Sequence, residues 1–548
     1  MSLLTSEEKT IHRLGTMIDC SRNAVMNVEA VKRWIDLTSA LGYNTLLLYI
    51  EDTYEIDGEP YFGYKRGKYA KAELKEIDRY AREHNMEVIP CIQTLAHLST
   101  LSRWPAYENC FDIEDILLVG DEQVYALIDK MFRTISECFS GRTVNIGVDE
   151  AHMLGRGRYL ERNGVEDRKK ILLKHIRRIS ELGKKYAFDL IMWSDMFYEL
   201  ASGKAYLDST ETENLLEYAK NEIPSNVELV YWDYYSDDIR HYNKMIAEQQ
   251  KLSENLWFAG GLWSWCGFAP HNGYSIRMLT PAIQACRQKG LKNVFFTLWG
   301  DDGGECSRWA LLPALYYASE AAKGNLDEKA IRQGFAQKYG ISWDDFMTLD
   351  LPGTPGGTAE SICNPDKYLL YNDCFTGLMD STLSGDEAQR YAACAEKLYP
   401  LTENAAWGYL FRTQYHLCRV LAKKADLGLR TRRAYLQGKE SLRPITEDYK
   451  TIEEELELFY NAFRYQWFRE NKASGFDVQD IRIGALIRRV KSCRTRIEDY
   501  IAGKTDSIEE LEEAVLDFEG KAEFSKKHIR YNQWGNVVTA NVLSWWRP

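Results

Sequence analysis

Eight short apolar runs, most of them separated by amphipathic stretches, fill roughly the first 300 residues and leave this chain few folds to choose from. The runs are LGTMIDC (14–20), NTLLLYI (44–50), MEVIPCIQ (86–93), TVNIGV (143–148), DLIMWS (189–194), VELVYWD (227–233), LWFAGGLW (256–263) and NVFFTLW (293–299). Each is nearly continuous in its hydrophobicity, which is the pattern of a strand buried on both faces of a parallel sheet. The stretches between them, 27–42, 72–85, 122–141, 166–186 and 278–290, repeat apolar residues at three- and four-residue spacing. Several close on Gly or Asn, as helices do. Residues 237–250 show a weaker version of the same pattern. Eight strands alternating with helices predict a (β/α)8 barrel over residues 1–325. An open doubly wound sheet is the runner-up. It is disfavoured because DCSRNAVM, not a glycine-rich phosphate loop, follows the first run.

Beyond residue 325 the β-runs fade, and residues 326–548 read as an all-α domain. Helical patterns cover 385–438, 451–471, 477–503 and 507–524, and 349–367 is a Gly/Pro/Ser/Thr-rich loop. This helical region carries no chemistry of its own in the sequence, and a homodimer is the assembly that such an extension suggests. With 548 residues, 45% of them hydrophobic, the chain can bury a large core in more than one domain.

A net charge of −12 argues against a broad nucleic-acid surface. No basic start with an apolar stretch behind it opens the chain, and no run reaches the length of a membrane span, so neither a secretory signal nor a membrane partner is expected. The 12 cysteines are scattered and lack CxxC pairs or zinc spacing, which predicts free buried thiols and a cytoplasmic protein. The absence of HExxH, an EF-hand loop or a His cluster gives no reason to expect a metal site.

In a barrel of this kind the chemistry lies at the carboxyl ends of the strands. The first run leads to Asp19, Cys20, Ser21 and Arg22, the second to Glu51 and Asp52, and the third to TLAHLSTLSRW with His97. The fourth ends in Asp149 and Glu150, the fifth in Trp193, Ser194 and Asp195, and the sixth in Tyr231, Trp232, Asp233, Tyr234 and Tyr235. The seventh ends in Trp263 and Trp265, the eighth in Trp299, Gly300, Asp301 and Asp302. Singly, each has an ordinary reading: Asp caps a helix, Trp fills a core, a lone His is hydrogen-bonded. Together, four strand ends with Trp and nearly all with a carboxylate describe a small-ligand pocket with aromatic walls. Aromatic faces suit sugar rings, and carboxylates with an Arg suit their hydroxyls.

These strand ends resemble glycoside hydrolase family 20, the β-N-acetylhexosaminidases. NIGVDEA resembles its Gly-x-Asp-Glu signature, MIDCSRN its arginine-bearing first strand, TLAHLS its histidine loop, MWSD and TLWGDD its Trp-x-acid and Trp-Gly-Glu ends. The resemblance covers roughly the first 325 residues. It departs from the family where Asn145 and Val148 replace a His and a small residue, where Asp301 replaces Glu, and where nothing before Leu14 would form the small leading domain.

The resemblance implies an exo-acting, retaining hydrolase of terminal β-linked N-acetylhexosamine in glycans, needing no cofactor. In a substrate-assisted mechanism through an oxazolinium ion, Glu150 would be the general acid, and Asp149 would hold the acetamide N–H and, ionised, raise the pKa of Glu150. Arg22, His97, Trp193, Asp233, Tyr235, Trp265, Trp299 and Asp301 would bind the sugar, with Tyr231, Tyr234 or Tyr235 on the acetamide. A barrel glycosidase with a protein nucleophile, Asp233 or Asp301, and an inactive glycan-binding barrel are the alternatives.

Overall fold

The computed structural model describes residues 11–204, 206, 216–355, 362–518, 520 and 533–543. The strands are β1 (Arg13–Asp19), β2 (Thr45–Tyr49), β3 (Glu87–Cys91), a small hairpin of β4 (Phe111–Ile113) and β5 (Ile116–Leu117), β6 (Thr143–Asn145), β7 (Asp189–Trp193), β8 (Val227–Trp232), β9 (Trp257–Gly261) and β10 (Asn293–Leu298). Apart from the hairpin they are all parallel. They close into an eight-stranded barrel in the order β1-β10-β9-β8-β7-β6-β3-β2.

The continuous apolar runs follow from the two-residue period of a strand. Leu47 and Tyr49, Ile89 and Cys91, Ile191 and Trp193, and Trp257 and Ala259 point inward with Met17, Val230 and Phe295 to fill the barrel. Their neighbours Leu46, Leu48, Val88, Leu190 and Phe258 are equally buried, on the outer face. Helices Val28–Ser39, Glu122–Cys138, Arg168–Lys185 and Ile239–Gln249 bury one stripe each, Trp34 and Ile35, Ile128 and Phe132, and Ile176 and Ile179 among them. Each begins where a side chain accepts an early backbone N–H: Asn27, Asp121, Asp167 and Asp238.

Three expectations need correction. The fourth run keeps strand geometry only to Asn145, because Gly147 and Val148 turn into left-handed backbone and end the ladder. The helix expected from 278 begins at Asn272 and runs through Pro281. Among the described residues of the expected helix 507–524, only Glu509–Glu512 is helical. The chain there is held by Arg432, which donates to the carbonyls of Glu510, Leu511 and Glu513 at 3.0, 2.7 and 2.5 Å. Residues 519 and 521–524 of that stretch, and 356–361 of the expected loop, lie outside the described residues.

The chain forms two compact units. The barrel unit comprises 1–262, 275–299 and 315–331; the other comprises 263–274, 300–314 and 332–548. The chain therefore passes between units in the segments after β9 and β10, not only near residue 325. In the second unit, helices Glu387–Leu398, Gly408–Lys424, Leu427–Gln437, Lys439–Glu470 and Phe476–Ile501 bury Phe411, Leu417, Phe459, Phe463, Trp467 and Val490. Among the described residues, no helix is long and apolar enough to cross a membrane.

Candidate active site

After β6 the Ile146 N–H still bonds to the Ile191 carbonyl at 2.9 Å, and the Trp193 N–H to the Gly147 carbonyl at 3.2 Å. The chain then turns sharply, with φ of +70° at Gly147, +73° at Val148 and +51° at Glu150. A Cβ on Gly147 would lie 2.0 Å from Gln93 Oε1, so only glycine fits there. Val148 is β-branched and strained in that region of backbone. The turn separates two neighbouring carboxyl groups: the side chain of Asp149 is only 12% exposed, while that of Glu150 stays 46% exposed.

The described contacts close into a ring around the barrel mouth. Asp149 Oδ1 accepts from Gln93 Nε2 at 2.8 Å, and its Oδ2 lies 3.2 Å from His97 Nε2, which is 3.6 Å from Glu150 Oε2. Gln93 Nε2 also donates to Tyr49 Oη at 2.9 Å, and that hydroxyl donates to Glu51 at 3.0 Å. Arg22 bridges Glu51 and Asp19, both at 3.3 Å, and its guanidinium lies 5.0 Å from the ring centre of Tyr49 and 5.1 Å from that of Trp299. Trp299 packs on Tyr49 at 4.7 Å and Trp193 at 6.1 Å, and its Nε1 donates to Tyr234 Oη at 3.2 Å. Tyr234 stacks on Trp232, whose Nε1 donates to Asp195 Oδ1 at 3.4 Å. Asp195 Oδ2 accepts the backbone N–H of Glu150 at 2.9 Å and completes the ring.

The electrostatics are uneven. Burial pushes the His97 imidazole down, but the Asp149 carboxylate outweighs it and lifts the group to about 10, so His97 is a cation at neutral pH. Burial also opposes ionisation of Asp149, yet His97 and Gln93 hold its carboxyl below the ordinary range. Glu150 is pushed up, first by burial and then by the negative charge of Asp149. Asp195, wholly buried, is pushed far up for the same two reasons. Two adjacent carboxyl groups thus differ in protonation tendency, which is the arrangement that separates an acid from an anion.

Of the residues expected from the sequence, Arg22, His97, Asp149, Glu150, Trp193 and Trp299 come together in this ring, with Trp193 beneath it at 1% exposure. Asp233 is buried and engaged at both oxygens, by Tyr231 Oη at 2.9 Å, by His241 Nε2 at 2.7 Å and by the Tyr235 N–H at 3.0 Å. It is Tyr234, not Tyr235, that joins the ring; Tyr235 is 39% exposed. Trp265 and Asp301 belong to the second unit, where Trp265 stacks on Trp263 at 4.2 Å and Asp301 is exposed. Gln93 and Tyr49 were not foreseen. Gln93 closes the third apolar run, MEVIPCIQ, without a motif, and Tyr49 reads as core because it lies within the run NTLLLYI. Glu51, Asp195 and Trp232 were visible as strand ends but had no partner to define them. Among the described residues, no three His, Cys, Asp or Glu side chains gather as a metal site would require.

Comparison with known proteins agrees with this picture. The catalytic-domain model of glycosyl hydrolase family 20 matches residues 11–259, and that of the glycoside hydrolase 20C C-terminal domain matches residues 344–530. Hexosaminidase D of Bos taurus is 26% identical over 254 residues, which is 45% of this chain and 68% of that protein. Hexosaminidase D of Homo sapiens is 25% identical over 249 residues, 43% of this chain and 49% of that protein, so the match spans about half of the human relative's length. A family 20 exo-β-N-acetylglucosaminidase from Vibrio harveyi, solved with N-acetylglucosamine, is 15% identical over 62% of this chain and 57% of that one, with a TM-score of 0.44. The sequence of the barrel and that of the helical region after it point the same way: the chain belongs to glycoside hydrolase family 20.

Proposed function

We propose that this protein is an exo-acting, retaining β-N-acetylhexosaminidase that releases terminal β-linked GlcNAc or GalNAc by substrate-assisted catalysis. The observation that carries the reading is the unlike environment of Asp149 and Glu150 on one turn of backbone. Retaining glycosidases with a protein nucleophile set two carboxyl groups on opposite sides of the scissile bond. Adjacent residues that share one imidazole do not provide that arrangement. They do suit a reaction in which the substrate's own acetamide oxygen is the nucleophile.

Glu150, the more exposed and more readily protonated of the two, acts as the acid. Its proton passes to the glycosidic oxygen as the bond from that oxygen to the anomeric carbon breaks. The acetamide oxygen bonds to the anomeric carbon, and an oxazolinium ion forms. Asp149, held ionised by His97 and Gln93, accepts the acetamide N–H and balances the positive charge that grows on nitrogen. Water then attacks the anomeric carbon, its proton returns to Glu150, and the acetamide re-forms with retained configuration. Arg22 grips sugar hydroxyls, Trp193 and Trp299 wall the acetamide methyl, and Tyr234 orients the acetamide carbonyl. Asp233 and Tyr235 keep the sugar-facing roles that the family resemblance implies. Asp233 makes a poor nucleophile, since its oxygens already serve Tyr231, His241 and the Tyr235 N–H. Twelve free cysteines, eleven of them buried, support a reducing compartment such as the cytoplasm.

The deciding experiment measures p-nitrophenol release from the β-GlcNAc, β-GalNAc and β-glucoside substrates, with a thiazoline analogue of the oxazolinium ion as inhibitor. Turnover of the acetamido sugars alone, blocked by the thiazoline and lost in Glu150→Gln and Asp149→Asn, is expected. Comparable turnover of the β-glucoside would sink the acetamide mechanism.

A further inference from the structure

Most large aromatic side chains of the barrel unit are buried, but the loops after β2 and β3 hold a group that is not. Tyr61 and Tyr64 are 44% and 41% exposed, and Trp104 is half-buried between them. Trp104 lies 5.4 Å from each tyrosine ring, and the tyrosines are 5.9 Å apart. Three rings that pack on one another and still face water form a contiguous aromatic patch, a feature more typical of a binding surface than of a bare exterior.

The patch is rigidly rooted, and its root is shared with the active site. Asp52 is buried and accepts from Arg66 at 3.0 Å and from Thr100 Oγ1 at 2.8 Å, so it ties both aromatic-bearing loops together. Arg66 also donates to the Ser21 carbonyl, and Ser21 Oγ donates to Asp19, a partner of Arg22. Glu51, next to Asp52 in the chain, is the other partner of Arg22. Between Tyr61 and Tyr64, Gly63 passes so close to Asp52 that a Cβ would lie 2.2 Å from its carbonyl oxygen. His97, which contacts both catalytic carboxylates, begins the segment that leads to Trp104. The patch therefore stands on the catalytic end of the barrel, on the loops that flank Arg22 and His97.

We propose that Tyr61, Tyr64 and Trp104 form a second carbohydrate-binding surface, which stacks on the sugar rings of the leaving chain. This rests on the hydrolase reading above. A pyranose offers an apolar C–H face with a hydroxyl edge, and Tyr and Trp offer an apolar face with a polar tip. The surface is held in place before ligand arrives, so little order is lost on binding. The consequence is a preference for terminal N-acetylhexosamine on an oligosaccharide over the same sugar on a small aglycone.

The test compares kcat/KM on a β-1,4-linked GlcNAc trisaccharide and on methyl β-GlcNAc for wild type, Tyr61→Ala, Tyr64→Ala, Trp104→Ala and Trp104→Phe. Each alanine variant is expected to lose up to about ten-fold on the trisaccharide, through KM, with the methyl glycoside nearly unchanged and Trp104→Phe retaining most of the activity. In parallel, trisaccharide and methyl glycoside are titrated calorimetrically into Glu150→Gln, with and without Trp104→Ala. Tighter binding of the trisaccharide that Trp104→Ala removes supports the surface even if wild type hydrolyses neither sugar, an outcome that would fail only the hydrolase reading. Equal losses on both substrates, no loss on either, or a patch whose variants change the oligomeric state without changing sugar affinity would overturn it.

Discussion

Both units bury charge, and the cluster at the barrel mouth handles it in the opposite way from two clusters of the second unit. In the barrel mouth Asp19, Glu51, Asp149, Glu150 and Asp195 gather around Arg22 and His97, and burial pushes Glu51, Glu150 and Asp195 towards their neutral forms. Around Lys367 and Arg489 in the second unit the signs are matched. Lys367, fully buried, pairs with Asp302 and with Glu305 at 2.5 Å, and Arg482 reaches Glu305 at 2.8 Å. Arg489 grips Asp373 with two bonds of 2.6 and 2.9 Å. Matched buried charge holds a shape; unmatched buried charge stores a difference in protonation that chemistry can draw on.

That contrast breaks if the wrong residues carry activity or stability. The largest effect is expected from Glu150→Gln, a loss of about 10³-fold in kcat with an unchanged thermal midpoint. Such a loss accompanied by unfolding would move Glu150 to the structural class. Lys367→Met leaves Asp302 and Glu305 buried without this cation and is expected to cost about 3–5 kcal/mol, read from denaturant midpoints. A cost near zero would mean that the pairing is ornamental. Asp149→Asn is expected to lower kcat about 10²-fold and to shift the pH profile as well. The charge of Asp149 raises Glu150 by more than the His97 cation it sustains lowers it, so losing both still lowers the Glu150 pKa, and the basic limb of kcat/KM, where the acid loses its proton, moves to lower pH. A limb that moves upward or stays still contradicts the coupling.

The smallest effect concerns Asp373, held at about 2 in the fold because Arg489 outweighs the opposing effect of burial. Its depressed pKa contributes about 2 kcal/mol above the unfolded value of ~3.9, and this is lost as pH falls through 2. The stability gap between wild type and Arg489→Met is therefore expected to be widest at neutral pH and to narrow between pH 4 and pH 2 in urea titrations.

Much of the barrel was legible before any coordinates, because strands buried on both faces must be continuously apolar and their helices must carry one apolar stripe. Arg22, His97, Asp149, Glu150, Trp193 and Trp299 were legible because a parallel barrel delivers chemistry at strand ends, which can be counted along the chain. Gln93 was not, since its importance lies in three partners drawn from β2 and the β6 turn. The early end of β6 was hidden for a similar reason: Val148 has every local preference for a strand, and only its surroundings force it to φ +73°. The hold on the chain at Leu511 and Glu513 comes from Arg432, far off in the chain. Tyr234 and Tyr235 are adjacent and chemically alike, so nothing local told them apart.

The sequence by itself determined the class of fold, the strand ends and the pair of carboxyl groups, because periodicity and chemical type are local properties. The family resemblance already made Glu150 the acid and Asp149 the anion; only the tertiary structure decided which neighbours set the two apart. A pKa is set by burial and by charges that other strands bring within a few ångströms, and in this protein those are His97 and Gln93 on Asp149 and the charge of Asp149 on Glu150.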